Sequence, residues 1–112
     1  MDEVKPIKLT DTKNNREYIL EFDKESVRFA ESRGFDIEDV PKYPLSKTEE
    51  LFWYAFRKNH KSVDLLTARK LLEGIGTLSE DFITRLVDLY TAPLEEAFVD
   101  NKEETVPFVT VE

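Results

Sequence analysis

Residues 51–56, with the sequence LFWYAF, constrain the fold of this chain more than any other stretch. They hold the only tryptophan and three further aromatic residues within six positions. Upstream, Ser46 and Glu49 fit a capping box, in which a serine caps the start of a helix and a glutamate three residues later reaches back to it. The pattern therefore predicts a helix over 47–60 that is apolar nearly all round.

Such a helix is either buried on every side or keeps part of its surface for a partner. At about 100° per residue, one broad face is formed by Leu51, Phe52, Ala55 and Phe56. Trp53 and Tyr54 project outside this face. In a chain of 112 residues, complete burial of the helix is difficult to arrange, so the block raises the question of binding.

The overall composition indicates one folded domain. A length of 112 residues is typical of a single domain. A content of 40% hydrophobic and 12% aromatic residues favours a globule over disorder. The absence of cysteine excludes disulfides and thiol chemistry, and a single histidine argues against a four-ligand zinc site. We expect neither a cofactor nor a metal.

The sequence also bears on location. Residues 1–6 lack the basic region and following apolar run of a secretory signal. No stretch approaches the ~20 apolar residues that a membrane span requires. We therefore expect a soluble, cytoplasmic protein without a membrane partner.

The net charge of −8 is concentrated in the last third of the chain. Residues 1–78 carry 15 Asp/Glu and 14 Lys/Arg, whereas residues 79–112 carry 9 Asp/Glu and 2 Lys/Arg. Because nucleic-acid binding depends on neutralising phosphates with Lys and Arg, we expect no nucleic-acid partner. The basic cluster Arg57, Lys58 and Lys61 could touch a phosphate, but it is more typical of a solvated helix end.

The N-terminal third predicts a β-hairpin. Two runs that alternate between apolar and polar residues flank the polar stretch 11–16, which is typical of a turn. A lone hairpin is marginal in water and must pack on something. Its apolar face is expected to lie on helices and to consist of Ile7, Leu9, Tyr18, Leu20 and Phe22.

Local signals predict further helices. Asp23 suits the N-cap of a helix over 24–33 that Gly34 ends, with Val27 and Ala30 inward. After it, we expect Phe35, Ile37 and Val40 to fold back over the core. Pro41 and Pro44 bracket a connection that is not regular helix. A third helix covers 65–73, ended by Gly74 and Gly76, and Ser79 caps a last helix that Pro93 kinks or divides.

Together these elements predict an α+β domain over residues 1–100, in which an N-terminal β-hairpin packs on a small bundle of about four α-helices. Residues 101–112 then form a spacer and a β-prone tail. The stretch 106–111, VPFVTV, fits an added edge strand, an arm for a partner or a loose tail, and the sequence leaves these alternatives open.

Catalysis has few candidate residues. His60 is the only histidine, has no carboxylate near it in sequence, and is expected on the surface at the end of the aromatic helix. Adjacent acidic pairs such as Glu80 and Asp81 point in different directions on a helix and suit helix starts. The segment 74–76, GIG, lacks the other residues of a phosphate-binding loop. We therefore expect that the protein is not an enzyme.

Protein binding is the better-supported class. Trp, Tyr and Arg are enriched at binding hot spots, and all three occur together in the aromatic helix. The candidate partner-binding residues are Phe52, Trp53, Tyr54, Phe56 and Arg57. An equally good interpretation packs Trp53 under the hairpin and Tyr54 under the last helix.

The order of these features resembles a known family. The strand REYILEF at 16–22 leads into a helix that ends at RGF, and the acidic segment DIEDV follows at 36–40. After a proline linker come the aromatic helix with LFWYAFRKNH and the late helix with LVDLYTAPLEEAF. Over residues 7–100, the chain is similar to the small tail-assembly chaperones of long-tailed phages and prophages.

The resemblance implies a non-enzymatic assembly factor of the host cytoplasm that is absent from the mature virion. Its partners would be the tape-measure protein, which it keeps soluble, and the tail-tube protein. A frameshifted longer form occurs in many such families. Alternatives are a structural tail or head-to-tail component and a small adaptor or inhibitor of a host protein. The oligomeric state stays open, with a homo-oligomer among the alternatives.

Overall fold

The computed structural model describes residues 5–97, with side chains to Glu95. It confirms the α+β prediction of an N-terminal hairpin followed by four helices. The strands are β1 (Ile7–Asp11) and β2 (Arg16–Leu20). The helices are α1 (Lys24–Ser32), α2 (Pro44–Tyr54), α3 (Leu65–Ile75) and α4 (Glu80–Ala97), with a 3₁₀ turn at Ile37–Asp39 between α1 and α2. The predicted spacer and tail, 101–112, lie outside the described residues.

The two strands pair antiparallel, with Ile7 opposite Leu20 and Asp11 opposite Arg16. The Asp11 side chain accepts hydrogen bonds from the Nδ2 of Asn14 at 2.8 Å and from the backbone N–H of Lys13 at 3.1 Å. These bonds hold the turn, and the one from the Asn14 side chain is the main cause of the lowered pKa of Asp11. The predicted apolar face is confirmed, since Ile7, Tyr18, Leu20 and Phe22 are buried and Leu9 packs against them.

Helix α1 begins and ends as its local signals predict. The Asp23 carboxylate accepts the backbone N–H of Ser26 at 2.8 Å, and the Ser26 hydroxyl accepts the N–H of Asp23 at 2.8 Å. Gly34 follows the helix with φ of 86°, which glycine adopts without the clash a Cβ would cause. Val27 and Ala30 are buried, as expected.

The aromatic helix differs from its prediction at both ends. It begins at Pro44 with Tyr43 as the N-cap, and no side chain caps it. The predicted Ser46 cap is therefore wrong, because proline fits the first helical position, where its missing N–H costs nothing. The helix ends at Tyr54, and the next residues form turns instead of continuing to 60. The Ala55 carbonyl accepts the N–H of Glu21 at 3.0 Å, which joins this segment to the hairpin.

Helix α3 is longer than predicted, and α4 is continuous. Gly74 lies inside α3, and the chain leaves the helix at Gly76, which has φ of 85°. The Ser79 hydroxyl accepts the N–H of Phe82 at 3.1 Å and caps α4 as predicted. This helix runs through Pro93 without being divided there.

The core lies where the hairpin, α1, α2 and α4 meet. Its largest completely buried side chains are Leu20, Leu51, Phe52, Phe56, Leu86 and Tyr90. Aromatic rings meet edge to face, with centroids 5.1 Å apart for Phe22 and Tyr90 and 5.5 Å apart for Phe35 and Tyr90. Phe35 and Val40 are buried over this core, as the sequence predicts.

The environment of Tyr90 makes its ionisation a test of the core. Burial, followed by the charges of Glu31 and Asp36, raises the pKa of Tyr90 to about 12. The raised pKa means that the folded state favours the neutral phenol of Tyr90. The stability that depends on neutral Tyr90 is therefore complete below pH 10 and is lost as the pH rises towards 12. A tyrosinate absorbance titration of the folded protein should show a late phase. That phase should lose amplitude in Tyr90→Phe, where Tyr54 keeps a raised pKa, and an unchanged amplitude would contradict the assignment.

Candidate protein-binding site

Three of the five residues predicted to bind a partner lie in the core. Phe52 and Phe56 have no exposed surface, and Tyr54 is 3% exposed. The Tyr54 ring packs against Phe35 at 5.2 Å and Phe29 at 6.0 Å between centroids. Burial is the main cause of the raised pKa of Tyr54. A partner could reach these three side chains only after the core had opened, so they do not form a surface in the folded domain.

Trp53 is half-buried and held by its neighbours. Its indole Nε1 donates a hydrogen bond to the carbonyl of Val63 at 2.9 Å. Its ring meets that of Phe29 at 6.2 Å, and the Arg33 guanidinium lies 5.4 Å from the ring centre. Trp53 therefore packs within the domain, but the alternative prediction that it lies under the hairpin is wrong, because these partners belong to α1 and to the loop before α3.

Arg57, the fifth predicted residue, also packs within the domain. Its guanidinium lies 3.9 Å from the centre of the Phe29 ring, which is a close cation–π contact. Phe29 thus links Trp53, Tyr54 and Arg57, although the sequence analysis did not single it out. The only signal for Phe29 in the sequence was its position next to Ala30, which was predicted to point inward.

His60 differs most from its prediction. It is half-buried, and its Nε2 accepts the backbone N–H of Ile19 at 2.9 Å. The neighbouring Asn59 donates to the carbonyl of Ile19 at 3.2 Å and to the Glu21 carboxylate at 3.2 Å. The predicted surface histidine at a helix end is wrong, because α2 ends at Tyr54 and the following turns run beside β2. Segment 55–60 covers the outer edge of that strand.

An apolar groove lies where α2, α3 and the start of α4 meet. It has a volume of about 530 Å³, and the apolar residues that line it are Leu45, Leu72, Leu78 and Ile83. Leu45 is 77% exposed. At the rim, the Arg69 Nε lies 3.3 Å from Oε1 of Glu49, and Glu73 adds a further acidic group. We call this feature the α2–α3 groove.

This groove has no clear signature in the sequence. Leu45 lies between the connection bracketed by Pro41 and Pro44 and the helix predicted over 47–60, so it was assigned to neither. Leu72 lies on the third helix, and the sequence does not show that its side chain is only partly buried. Exposed apolar residues that cluster beside a groove are typical of interaction sites.

The described residues offer little for other chemistry. Within residues 5–97, no three His, Asp or Glu side chains cluster in a way that could hold a metal ion. No helix in this range has both the length and the apolar character needed to cross a membrane. Arg28, Arg57, Lys58 and Lys61 line a basic groove beside α1, where Lys58 pairs with Glu21 at 3.0 Å.

Comparisons with known proteins give one match. Residues 2–112 match the sequence profile of a family described as "Domain of unknown function (DUF5055)". Neither a curated protein nor a solved structure matches the chain. The family match covers nearly the whole sequence, including all of the described residues.

Proposed function

The chain belongs to the DUF5055 family, and we propose that it acts as a tail-assembly chaperone of a phage or prophage. In this role it binds the tape-measure protein, the tail-tube protein or both without covalent chemistry. It acts in the cytoplasm of the bacterial host and is left out of the mature virion. The resemblance of residues 7–100 to such chaperones suggests the role, and the α2–α3 groove is the observation that carries it.

The groove suits an amphipathic helix. A helix can place its apolar face in a hydrophobic groove through anchors spaced three and four residues apart. Leu45 offers an exposed contact at one wall, and Leu72, Leu78 and Ile83 supply apolar lining. A tape-measure protein is a long and largely helical chain, so its unassembled helices expose apolar faces of this kind.

The charges of the chain fit the same role. A net charge of −8 opposes self-association of a protein that carries exposed apolar surface. Glu49 is paired with Arg69, and Glu73 leaves the rim with a net negative charge that favours a helix with basic residues beside its apolar stripe. Binding of this kind requires no catalytic residue, and the proposal includes none.

The proposal relocates the binding surface. From the sequence, this surface was predicted on Phe52, Trp53, Tyr54, Phe56 and Arg57. Of these, Phe52, Tyr54 and Phe56 are buried. The α2–α3 groove lies at the start of the same helix and includes Leu45 and Thr48.

A substitution in the groove tests the function. Co-expression with the tape-measure protein of the same phage or prophage should keep that protein in the soluble fraction. Leu45→Glu should weaken binding by roughly 10- to 100-fold, since a leucine side chain that becomes buried on binding contributes about 1.5–3 kcal/mol. The soluble fraction and a binding titration with purified proteins measure the effect.

Leu66→Glu is the matched control. Leu66 is 59% exposed on α3 and does not line the groove. Both variants should fold with stability within about 0.5 kcal/mol of the original chain, because both sites are exposed. Equal binding by the two variants would refute the groove as the binding site. An unmodified chain that leaves the tape-measure protein insoluble would refute the proposed function.

A further inference from the structure

Among residues 5–97, the hairpin has one covered edge and one open edge. Segment 55–60 covers β2, where both the N–H and the carbonyl of Ile19 bond to side chains of that segment. Ile19 lies opposite Lys8 in the antiparallel pair. In such a pair, the N–H and carbonyl groups of two opposite residues either all point towards the partner strand or all point away from it. The N–H and carbonyl of Lys8 therefore point outward from β1, and those of Thr10 follow with the two-residue period of the strand.

This outer edge of β1 has no partner among residues 5–97. Neither Lys8 nor Thr10 makes a backbone hydrogen bond outside the hairpin in this range, and both residues are exposed. An open edge of this kind is a template for another strand. A two-stranded hairpin also gains stability from a third strand.

We propose that residues 106–111 of this chain add to the outer edge of β1 as a third strand. Their sequence, VPFVTV, is rich in β-branched and aromatic residues, which favour strands. Pro107 is compatible with an edge strand when the position of its missing N–H faces solvent. This requirement decides which residues face β1, because the N–H groups of Val106, Phe108 and Thr110 then point towards it.

The length of the intervening chain permits this pairing. The Arg85 guanidinium donates to the carbonyls of Lys5 and Pro6 at 3.0 and 3.1 Å, which places this part of α4 beside the start of β1. From Arg85 to Ala97, α4 advances about 18 Å at 1.5 Å per residue. The eight residues 98–105 can span about 27 Å when extended. The chain can therefore return from the end of α4 to β1.

Charges at both ends of β1 favour this occupant. Lys5 precedes the strand, and Lys13 and Arg16 lie at the turn. None of the three makes an ion pair within the described part of the chain. The proposed strand is flanked by Glu103 and Glu104 on one side and Glu112 on the other. Opposite charges therefore meet in either strand direction.

A cleft beneath the hairpin could receive the inward side chains of the added strand. It has a volume of about 800 Å³ and lies between the hairpin and α3. Its apolar lining includes Leu9, Tyr18, Leu71 and Ile75, and Lys70 adds a positive charge. Because side chains alternate between the faces of a strand, every second residue of 106–111 would face this side.

Amide hydrogen exchange on the full chain tests the proposal. The N–H groups of Lys8 and Thr10 should exchange at least roughly tenfold more slowly than in an unstructured peptide. Thr110→Pro should abolish this protection, because it removes an N–H that faces β1. The Ile19 amide, which bonds to His60, is an internal reference for an intact hairpin.

Val109→Pro is the matched control, because the N–H of Val109 faces away from β1 in the proposed register. It should keep most of the protection at Lys8 and Thr10. Fast exchange of these two amides in the full chain would overturn the proposal, as would equal effects of the two proline variants. Protection that survives Thr110→Pro and rises with protein concentration would also overturn it and would assign the edge to a second copy of the chain.

Discussion

Phe52→Ala is expected to lower the free energy of unfolding by about 3–5 kcal/mol, as is typical when a buried phenylalanine is truncated. The side chain has no exposed surface. Its ring lies 5.1 Å from that of Phe56 and 6.1 Å from that of Phe82 between centroids. Truncation would leave a cavity between α2 and α4. Because small domains are stable by only about 5–15 kcal/mol, the loss should be plain in urea or thermal unfolding.

Leu45→Ala is the control for Phe52→Ala. Leu45 lies on the same helix but is 77% exposed, so its truncation should change stability by less than about 0.5 kcal/mol. Comparable losses in the two variants would mean that Leu45 is covered in solution. A negligible loss in Phe52→Ala would contradict the packing of α2 against the core.

Tyr54→Ala should also destabilise the domain strongly, by roughly 3 kcal/mol or more. The ring is 3% exposed and packs against Phe29 and Phe35. Phe35 in turn contacts Tyr90 at 5.5 Å, so the loss would loosen the contact between α1, α2 and α4. Chemical denaturation with a tryptophan fluorescence readout measures the effect, since Trp53 is the only tryptophan.

Two further variants separate packing from binding at this position. Tyr54→Phe keeps the ring and should retain most of the stability. Trp53→Ala should cost less than Tyr54→Ala, because Trp53 is only half-buried. If Tyr54→Ala left stability unchanged and reduced partner binding, Tyr54 would be a surface contact, as the sequence analysis predicted.

Much of the fold could be predicted because its signals are local. The alternation of the two strands, the cap at Asp23 and the left-handed Gly34 each act through neighbours in sequence. The structure contains all three. Ser79 likewise caps α4 with its own hydroxyl. Such signals involve a few bonds within one turn, so their outcome changes little with the surroundings.

The errors occurred where distant segments meet. Helix α2 ends at Tyr54, and the carbonyl of Ala55 bonds to Glu21 of the hairpin. His60 bonds to Ile19 across 41 positions of sequence. Neither bond has a signature in the sequence near it, so a continuous helix to His60 was the natural prediction. Three of the five predicted binding residues, Phe52, Tyr54 and Phe56, are buried because distant segments pack over them.

Two leucines of α2 show what belongs to the sequence alone and what required the tertiary structure. The apolar pattern of residues 51–56 was enough to predict a helix and an α+β domain, because periodicity depends only on order along the chain. The sequence could not say that Leu51 is completely buried and Leu45 is 77% exposed. Burial depends on which elements lie opposite. The core surrounds Leu51, whereas residues 5–97 leave Leu45 at an open groove.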